Sequence, residues 1–416
     1  MFDYLIIGGG AAGLCSAVAF AQKNPQKTVA VLEQGSRVGR KISVTGNGRC
    51  NITNRNVTPA RYHSSTPAAA EKILNAVSEQ TVTAFFANIG VPFCFEGEKA
   101  YPAGLQASAV TDALRFAAVG FGVKLFLNCR VTGLQRAQKT SQFTVTCHTE
   151  NGEQTLQARA VLVATGGLAG GDRLGSTGEG YRLLQSLGHP ITPCSPALVQ
   201  VKTENTFTKP LKGIKLLCRV TAVQNGKPQA AEFGEVLFCD YGLSGPPVLQ
   251  LSRYVTEQKN TALWLDLFTN LTKDKLFSLF LDRAKQLAYL PTEEFFTGLL
   301  HKKVGQTLQR HCGIAFGQPC SALTAPQLQA LTALSKQLPF LVRGSTGYRN
   351  AQVTNGGAAL LGFYPTALMS KTVPGLFAAG EVLDCDGDCG GFNLSWAWRT
   401  GLLTANSAAR YLGEQA

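Results

Sequence analysis

The sequence predicts an α/β protein. A doubly wound, largely parallel sheet is expected to be discontinuous in the chain, with an inserted β-barrel-like unit that carries helices. Three observations lead there. Residues 1–35 pass from a short apolar run to a small-residue helical pattern and back to an apolar run, as in a βαβ unit. The same kind of pattern returns at 373–384 and 390–401. Between them lie short β-like runs, then helical periodicity.

The first element is "DYLIIGG", an Ile/Leu-rich run suited to a buried parallel strand. "GGGAAGLCSAVAFAQK" reads as a helix of small residues, and "KTVAVLEQ" as the second strand. Gly8, Gly10 and Gly13 fit G-x-G-x-x-G at the first turn, and Glu33 closes the second strand. Each has a physical task. Gly8 permits the tight turn, Gly10 lets the backbone approach a pyrophosphate, and Gly13 lets helix and strand pack closely. The helix N-terminus favours the phosphate charge, and Glu33 can accept both hydroxyls of a ribose. With strand, helix and acid in place, the motif reads as a dinucleotide site.

The chain holds no second G-x-G-x-x-G, and its remaining elements favour FAD. "VKLFLNCRV" (123–131) and "FTVTC" (143–147) read as strands leading into "ARAVLVATGG" (158–167), which ends at Thr165-Gly166-Gly167. Near the C-terminus, "VPGLFAAGEVLD" places Glu381 at a strand end, where a carboxylate can accept from a ribityl chain. The helix starting near Gly391 offers N–H groups to a flavin pyrimidine edge. The insertion contains "PALVQV", "KLLCRVTAV", "EVLF" and "TALWLDL", separated by Gly, Pro and Asn. Helices then start at the N-caps Thr272 and Thr324, the second with Pro326 in its first turn, before "FLVRGS" returns to strand. The expected domains are 1–193 with 349–416 for FAD, 194–270 with 338–348 for the β-domain, and 271–337 for a helical subdomain.

Composition narrows the function classes. Charged residues are 16% and hydrophobic ones 45%, which excludes a disordered chain. The net charge of +13 favours anionic partners without choosing among them. It is concentrated in part: from Gln34 to Ala70 there is no acid, but there are Arg37, Arg40, Lys41, Arg49, Arg55 and Arg61. Asp3, the missing basic n-region and three consecutive glycines argue against a signal peptide, and no apolar run is long enough for a membrane span. The expected location is cytoplasmic. The 12 cysteines are scattered without a CxxC, so reduced thiols are expected rather than disulfides or zinc. Asp384, Asp386 and Asp388 begin like a calcium loop, but Cys389 stands where that loop needs Gly and Ser395 where it needs Glu. No metal is expected.

"TGNGRCNITN" (45–54) admits three readings: a glycosylation sequon, an activated Cys50 thiolate beside Arg49, or an anion-holding loop. The cytoplasmic reading removes the first. Placement after Glu33 in the acid-free segment favours the third, with Cys50 as a packing residue.

The segments "GRKISVTGNGRCNITN", "GSTGEGY", "GEVLFCDYGLSGPPVLQLSR", "AQVTNGGA", "MSKTVPGLFAAGEVLD" and "GGFNLSWAW" together resemble the YhiN/BaiN-type flavoproteins, also called aminoacetone-oxidase-like FAD-dependent oxidoreductases. The resemblance spans essentially the whole chain. It implies a Rossmann-like FAD domain with an inserted β-barrel-like domain and a helical subdomain. It further implies non-covalent FAD contacts at Gly8, Gly10, Ala11, Ala12, Gly13, Glu33, Gln34, Arg40, Lys41, Thr45, Gly46, Asn47, Gly48, Cys50 and Asn51. Contacts also follow at Val131, Thr165, Gly166, Gly380, Glu381, Gly391, Phe392, Asn393 and Leu394.

Two departures stand out: Cys385 and Cys389 flank Asp-Gly-Asp, raising the question of a redox pair, and Tyr241 stands where some relatives have His. Candidate catalytic groups are Tyr241, Tyr348 and Arg349, with Arg399 as a further polar group. The expected reaction is reduction of an activated C=C bond of an enone-like or steroid-like small molecule, with NAD(P)H as transient donor. Oxidation of a small amine such as aminoacetone is the alternative. A third reading, an FAD-dependent tRNA-modifying protein, rests on charge alone. Neither a nucleic-acid nor a membrane partner is expected.

Overall fold

The computed structural model describes residues 1–137, 141–255 and 260–414. They form two compact units, 1–196 with 348–416, and 197–347. Among the described residues no helix is long and apolar enough to cross a membrane.

The first unit is built on β1 (Phe2–Ile7), α1 (Ala11–Lys23), β2 (Val29–Leu32), β3 (Lys124–Phe126), β4 (Arg130–Arg136), β5 (Phe143–Thr149) and β6 (Gly152–Val163). The sheet order is β3-β2-β1-β6-β5-β4, with the strand Leu376–Ala378 also on β6. β1 pairs in parallel with both β2 and β6, and β6 with Leu376–Ala378, while β4, β5 and β6 pair antiparallel. This is a Rossmann-like arrangement, with its switch point above β1. Tyr4, Leu5 and Ile6 are fully buried, as a central strand covered on both faces requires.

The run 123–131 is not one strand. It breaks at Asn128, whose φ of 50° is left-handed and whose side chain donates to Glu150. Asn tolerates this conformation better than the β-branched residues do. The break lets Cys129 N–H bond to Glu33 O at 2.9 Å, which brings the start of β4 against the acid that closes β2.

The C-terminal helix, Phe392–Glu414, packs along α1. Trp396 and Trp398 are completely enclosed, and each indole N–H finds a carbonyl, Gly380 O at 3.1 Å and Ile52 O at 2.9 Å.

The second unit is a closed six-stranded barrel: β7 (Val201–Thr203), β8 (Lys215–Gln224), β9 (Lys227–Cys239), β10 (Gly242–Ser244), β11 (Thr261–Asp266) and β12 (Leu338–Ser345), in the order β7-β10-β9-β8-β11-β12. Alternate residues of β11 are buried, the period-2 pattern of a barrel wall. Three helices, α2 (Lys273–Gln286), α3 (Lys302–His311) and α4 (Ala325–Lys336), share one hydrophobic cluster with it, through Phe280, Leu308, Leu331 and Phe340. The Thr272 hydroxyl accepts from Lys275 N–H at the start of α2, and Thr324 forms a full capping box with Gln327 at the start of α4.

Candidate cofactor cleft

The turn between β1 and α1 forms one wall of a cleft enclosing about 1390 Å³, its open mouth included. Gly8 has φ of +109°, and a Cβ there would stand 2.4 Å from Ala164 O, so the turn needs glycine on two counts. A Cβ on Gly13 would lie 2.0 Å from Gly8 O, which is the close helix–strand approach read from the motif. α1 therefore begins at the floor of the cleft with its N-terminus open to it.

Glu33 closes one end. Its carboxylate accepts from Gly9 N–H at 2.9 Å and from Gly35 N–H at 2.8 Å. Burial holds its pKa above the usual carboxylate range, opposed by those N–H groups and by Arg40. Arg40 donates to Arg173 O at 2.9 Å, Gln34 to Gly175 O, and Arg130 to Glu179 at 2.7 Å, which ties the segment around 173–179 along the rim.

Glu381 stands at the other end, with both carboxylate oxygens engaged. Thr354 N–H donates to Oε1 at 2.9 Å, and Lys41 Nζ is 2.5 Å from Oε2. Thr354 Oγ1 in turn accepts from Leu168 and Ala169 N–H at 2.8 and 3.0 Å. One threonine thus ties the segment that follows β6 to the acid. Asn393 lines the cleft nearby, fixed by paired bonds of 2.8 Å to Gly387 N–H and O.

Of the expected cofactor residues, the cleft wall holds Gly8, Gly10, Ala11, Ala12, Glu33, Gln34, Arg40, Lys41, Thr45, Val131, Thr165, Gly166, Gly380, Glu381, Asn393 and Leu394. It does not hold Gly13, Gly46, Asn47, Gly48, Cys50, Asn51, Gly391 or Phe392. In the 45–54 stretch, Gly46, Asn47 and Gly48 are exposed, while Cys50 to Asn54 are buried and turned to a packing task. Asn51 Oδ1 and Thr53 O lie so close to Gly391 that a Cβ there would meet each at 2.6 Å. Cys50 is fully buried, and desolvation pushes its thiol up to about 12. An activated thiolate does not fit such a site. Lys41 sits on Glu381, an acid remote from it in sequence, a pairing that composition cannot reveal.

The catalytic candidates are not on this wall. Tyr241 is half-buried in the barrel unit, its carbonyl accepting from Thr203 N–H at 3.0 Å, with burial raising its hydroxyl pKa. Tyr348, pushed up to about 12 by burial, is beside Cys194, and its carbonyl accepts from Gly170 N–H at 2.8 Å. Arg349 is exposed. Arg399 is a structural cation, buried among Leu74 O, Val77 O and Glu79. The buried acids are similarly engaged: Asp384 takes Ser65, and Asp388 takes His63 at 2.9 Å and Arg61 at 3.2 Å. Cys385 and Cys389 are not joined in a disulfide, and Cys385 lines the cleft. Residues missed by sequence reasoning include Cys129, Arg130, Gly175–Glu179 and Gln352. The last two lay in plain view in "GSTGEGY" and "AQVTNGGA".

A glycine turn under an open helix N-terminus, a buried acid at one end and a clamped acid at the other fit an elongated dinucleotide. The fold and this cleft define an FAD-dependent oxidoreductase of the Rossmann type. The model of the HI0933-like protein Rossmann domain matches residues 2–407, and the chain belongs to that family. It is 34% identical over 408 residues to the 3-dehydro-bile acid delta(4,6)-reductase of Clostridium scindens, covering 97% of this chain and 98% of that protein. It is 32% identical over 422 residues to the ribosomal RNA dihydrouridine synthase of Haemophilus influenzae, covering 98% of each. Among solved structures, 3-ketosteroid delta1-dehydrogenase from Sterolibacterium denitrificans superposes with a TM-score of 0.54 at 13% identity, over 98% of this chain and 99% of that one. That last likeness is one of fold.

Proposed function

We propose that this protein reduces a carbon–carbon double bond conjugated to a carbonyl, in an enone-like or steroid-like small molecule, with electrons from NAD(P)H. One observation carries the reading. Two relatives matched over nearly the whole chain are named for saturating such a bond, in a 3-oxo bile acid and in uracil. The two substrates differ widely, but the bond broken is of one kind. Each turnover moves one hydride from NAD(P)H and one proton from solvent or a side chain onto the two carbons.

In this reading the β1–α1 turn at Gly8 and Gly10–Ala12 receives the pyrophosphate, where backbone N–H groups and the helix dipole offset its charge. Glu33 accepts from the ribose, and Val131 borders the adenine. Glu381 accepts from the ribityl chain, and Asn393 and Leu394 border the pyrimidine edge. When bound, FAD supplies a two-electron carrier between nicotinamide and the substrate carbon. Lys41, 2.5 Å from its Oε2, holds Glu381 in place.

A second substrate reading, a uridine within RNA, is favoured by the charge of +13, by the acid-free stretch at 34–70 and by the second relative's name. Anaerobic mixing decides among these. NADH or NADPH should bleach the flavin, and an enone such as 4-androstene-3,17-dione should restore its colour. Restoration by uridine-containing RNA alone moves the substrate to RNA. Bleaching by aminoacetone, with no effect of either nicotinamide, overturns the reductase reading in favour of the oxidase.

A further inference from the structure

The polar side chains at the Glu381 end of the cleft are nearly all committed. Lys41 is on Glu381, Thr45 donates to Ile42 O at 2.7 Å, and Asn393 holds Gly387. Gln352 is the exception. It lines the cleft, it is exposed, and among the described residues its amide has no hydrogen-bond partner. Its backbone is held on both sides. Ala351 and Val353 are buried, Ala351 N–H bonds to Tyr348 O at 3.2 Å, and two residues on Thr354 N–H bonds to Glu381. A free amide anchored on a fixed backbone is a donor available to a ligand in the cleft.

We infer that the Gln352 amide donates to the carbonyl oxygen of the conjugated substrate, the atom on which negative charge collects as hydride reaches the far carbon. The assignment rests on the reading of C=C reduction given above. A neutral carboxamide suits the task. It hydrogen-bonds a ground-state carbonyl weakly and an enolate oxygen more strongly, so its stabilisation grows along the reaction. The electron balance is unchanged: the carbon gains the hydride, the oxygen holds the charge until a proton reaches the neighbouring carbon, and Gln352 neither gives up nor takes a proton. The other claimant on the amide is the imide edge of the flavin itself.

Gln352→Leu in the FAD-loaded full chain separates the possibilities, with three readouts. The first is flavin content, from the ratio of flavin to protein absorbance. The second is affinity for 4-nitrophenol, whose phenolate mimics an enolate and gives a long-wavelength charge-transfer band on an oxidised flavin. The third is the rate at which 2-cyclohexenone reoxidises photoreduced enzyme, a step that needs no nicotinamide. We expect flavin content unchanged, phenolate affinity at least ~10-fold weaker, and reoxidation slower by about 10²–10³, the usual cost of losing one such donor. Unchanged affinity and rate overturn the inference, as does loss of flavin, which would give the amide to the cofactor. A wild-type protein that binds no phenolate overturns it too. If wild type binds phenolate and Gln352→Leu does not, while neither reduces the enone, the donor assignment stands and the C=C reduction reading falls.

Discussion

Glu33 is the residue on which sequence pattern and local electrostatics meet. Its place after β2 marks it for a ribose, and its two backbone bonds hold it ready before any ligand arrives. The readiness has a cost, since burial raises its pKa above the ordinary 4.5. For a carboxyl raised in this way, stability present below 4.5 is lost as pH rises through the folded-state value. Denaturant unfolding of the FAD-free protein should therefore show a loss as pH rises above 4.5 that Glu33→Gln reduces. The same variant should bind FAD roughly tenfold more weakly, because hydrogen bonds to a charged acceptor exceed those to a neutral one. Equal affinity by flavin-fluorescence titration would remove Glu33 from the ribose site. Cys50 shows the limit of reading single residues. Beside Arg49 it looks activated, yet its side chain faces the core, and the guanidinium pairs instead with Glu96 and lies 4.4 Å over the Tyr101 ring.

At the scale of elements, capping and periodicity were legible because they act within a few residues. The α4 capping box at Thr324 and Gln327 is local, and Thr324→Ala should lower stability by about 1 kcal/mol, read as a shift in urea midpoint without a change in slope. The strand break at Asn128 was not legible. "VKLFLNCRV" has the composition of one strand, and the turn inside it is stabilised by Gly35 O and Glu150, distant in sequence. The 45–54 stretch was legible only in part for the same reason. Its glycines and Asn47 do form an exposed loop, but Cys50 to Asn54 are buried, and Gly391 packs against Asn51 and Thr53 to make them a support. Thr45 alone of that stretch reaches the cleft wall. "AQVTNGGA" carried a threonine clamp on Glu381 and an unpaired glutamine, neither visible without the partners.

For the whole molecule, two separate hydrophobic clusters underlie the two units, and every residue of the cleft wall belongs to the first. FAD should therefore act on one of them. At about 100 times its dissociation constant a ligand adds about 2.7 kcal/mol to the state that binds it. Calorimetry with and without FAD should show a transition for residues 1–196 with 348–416 moving upward while that of 197–347 stays in place. A single transition that moves as a whole would mean that the units unfold together. The sequence by itself determined the α/β class, the β1–α1–β2 unit with its glycines and acid, the β-rich insertion, the helix starts and the family, because each rests on short-range periodicity, turn chemistry or a contiguous motif. Only the tertiary structure decided that Lys41 serves Glu381, that Arg399 is structural, that Cys50 is buried and that Gln352 stands unpaired in the cleft. Those facts depend on groups tens to hundreds of residues apart, and which charges are paired, buried or free is fixed only when the chain brings them together.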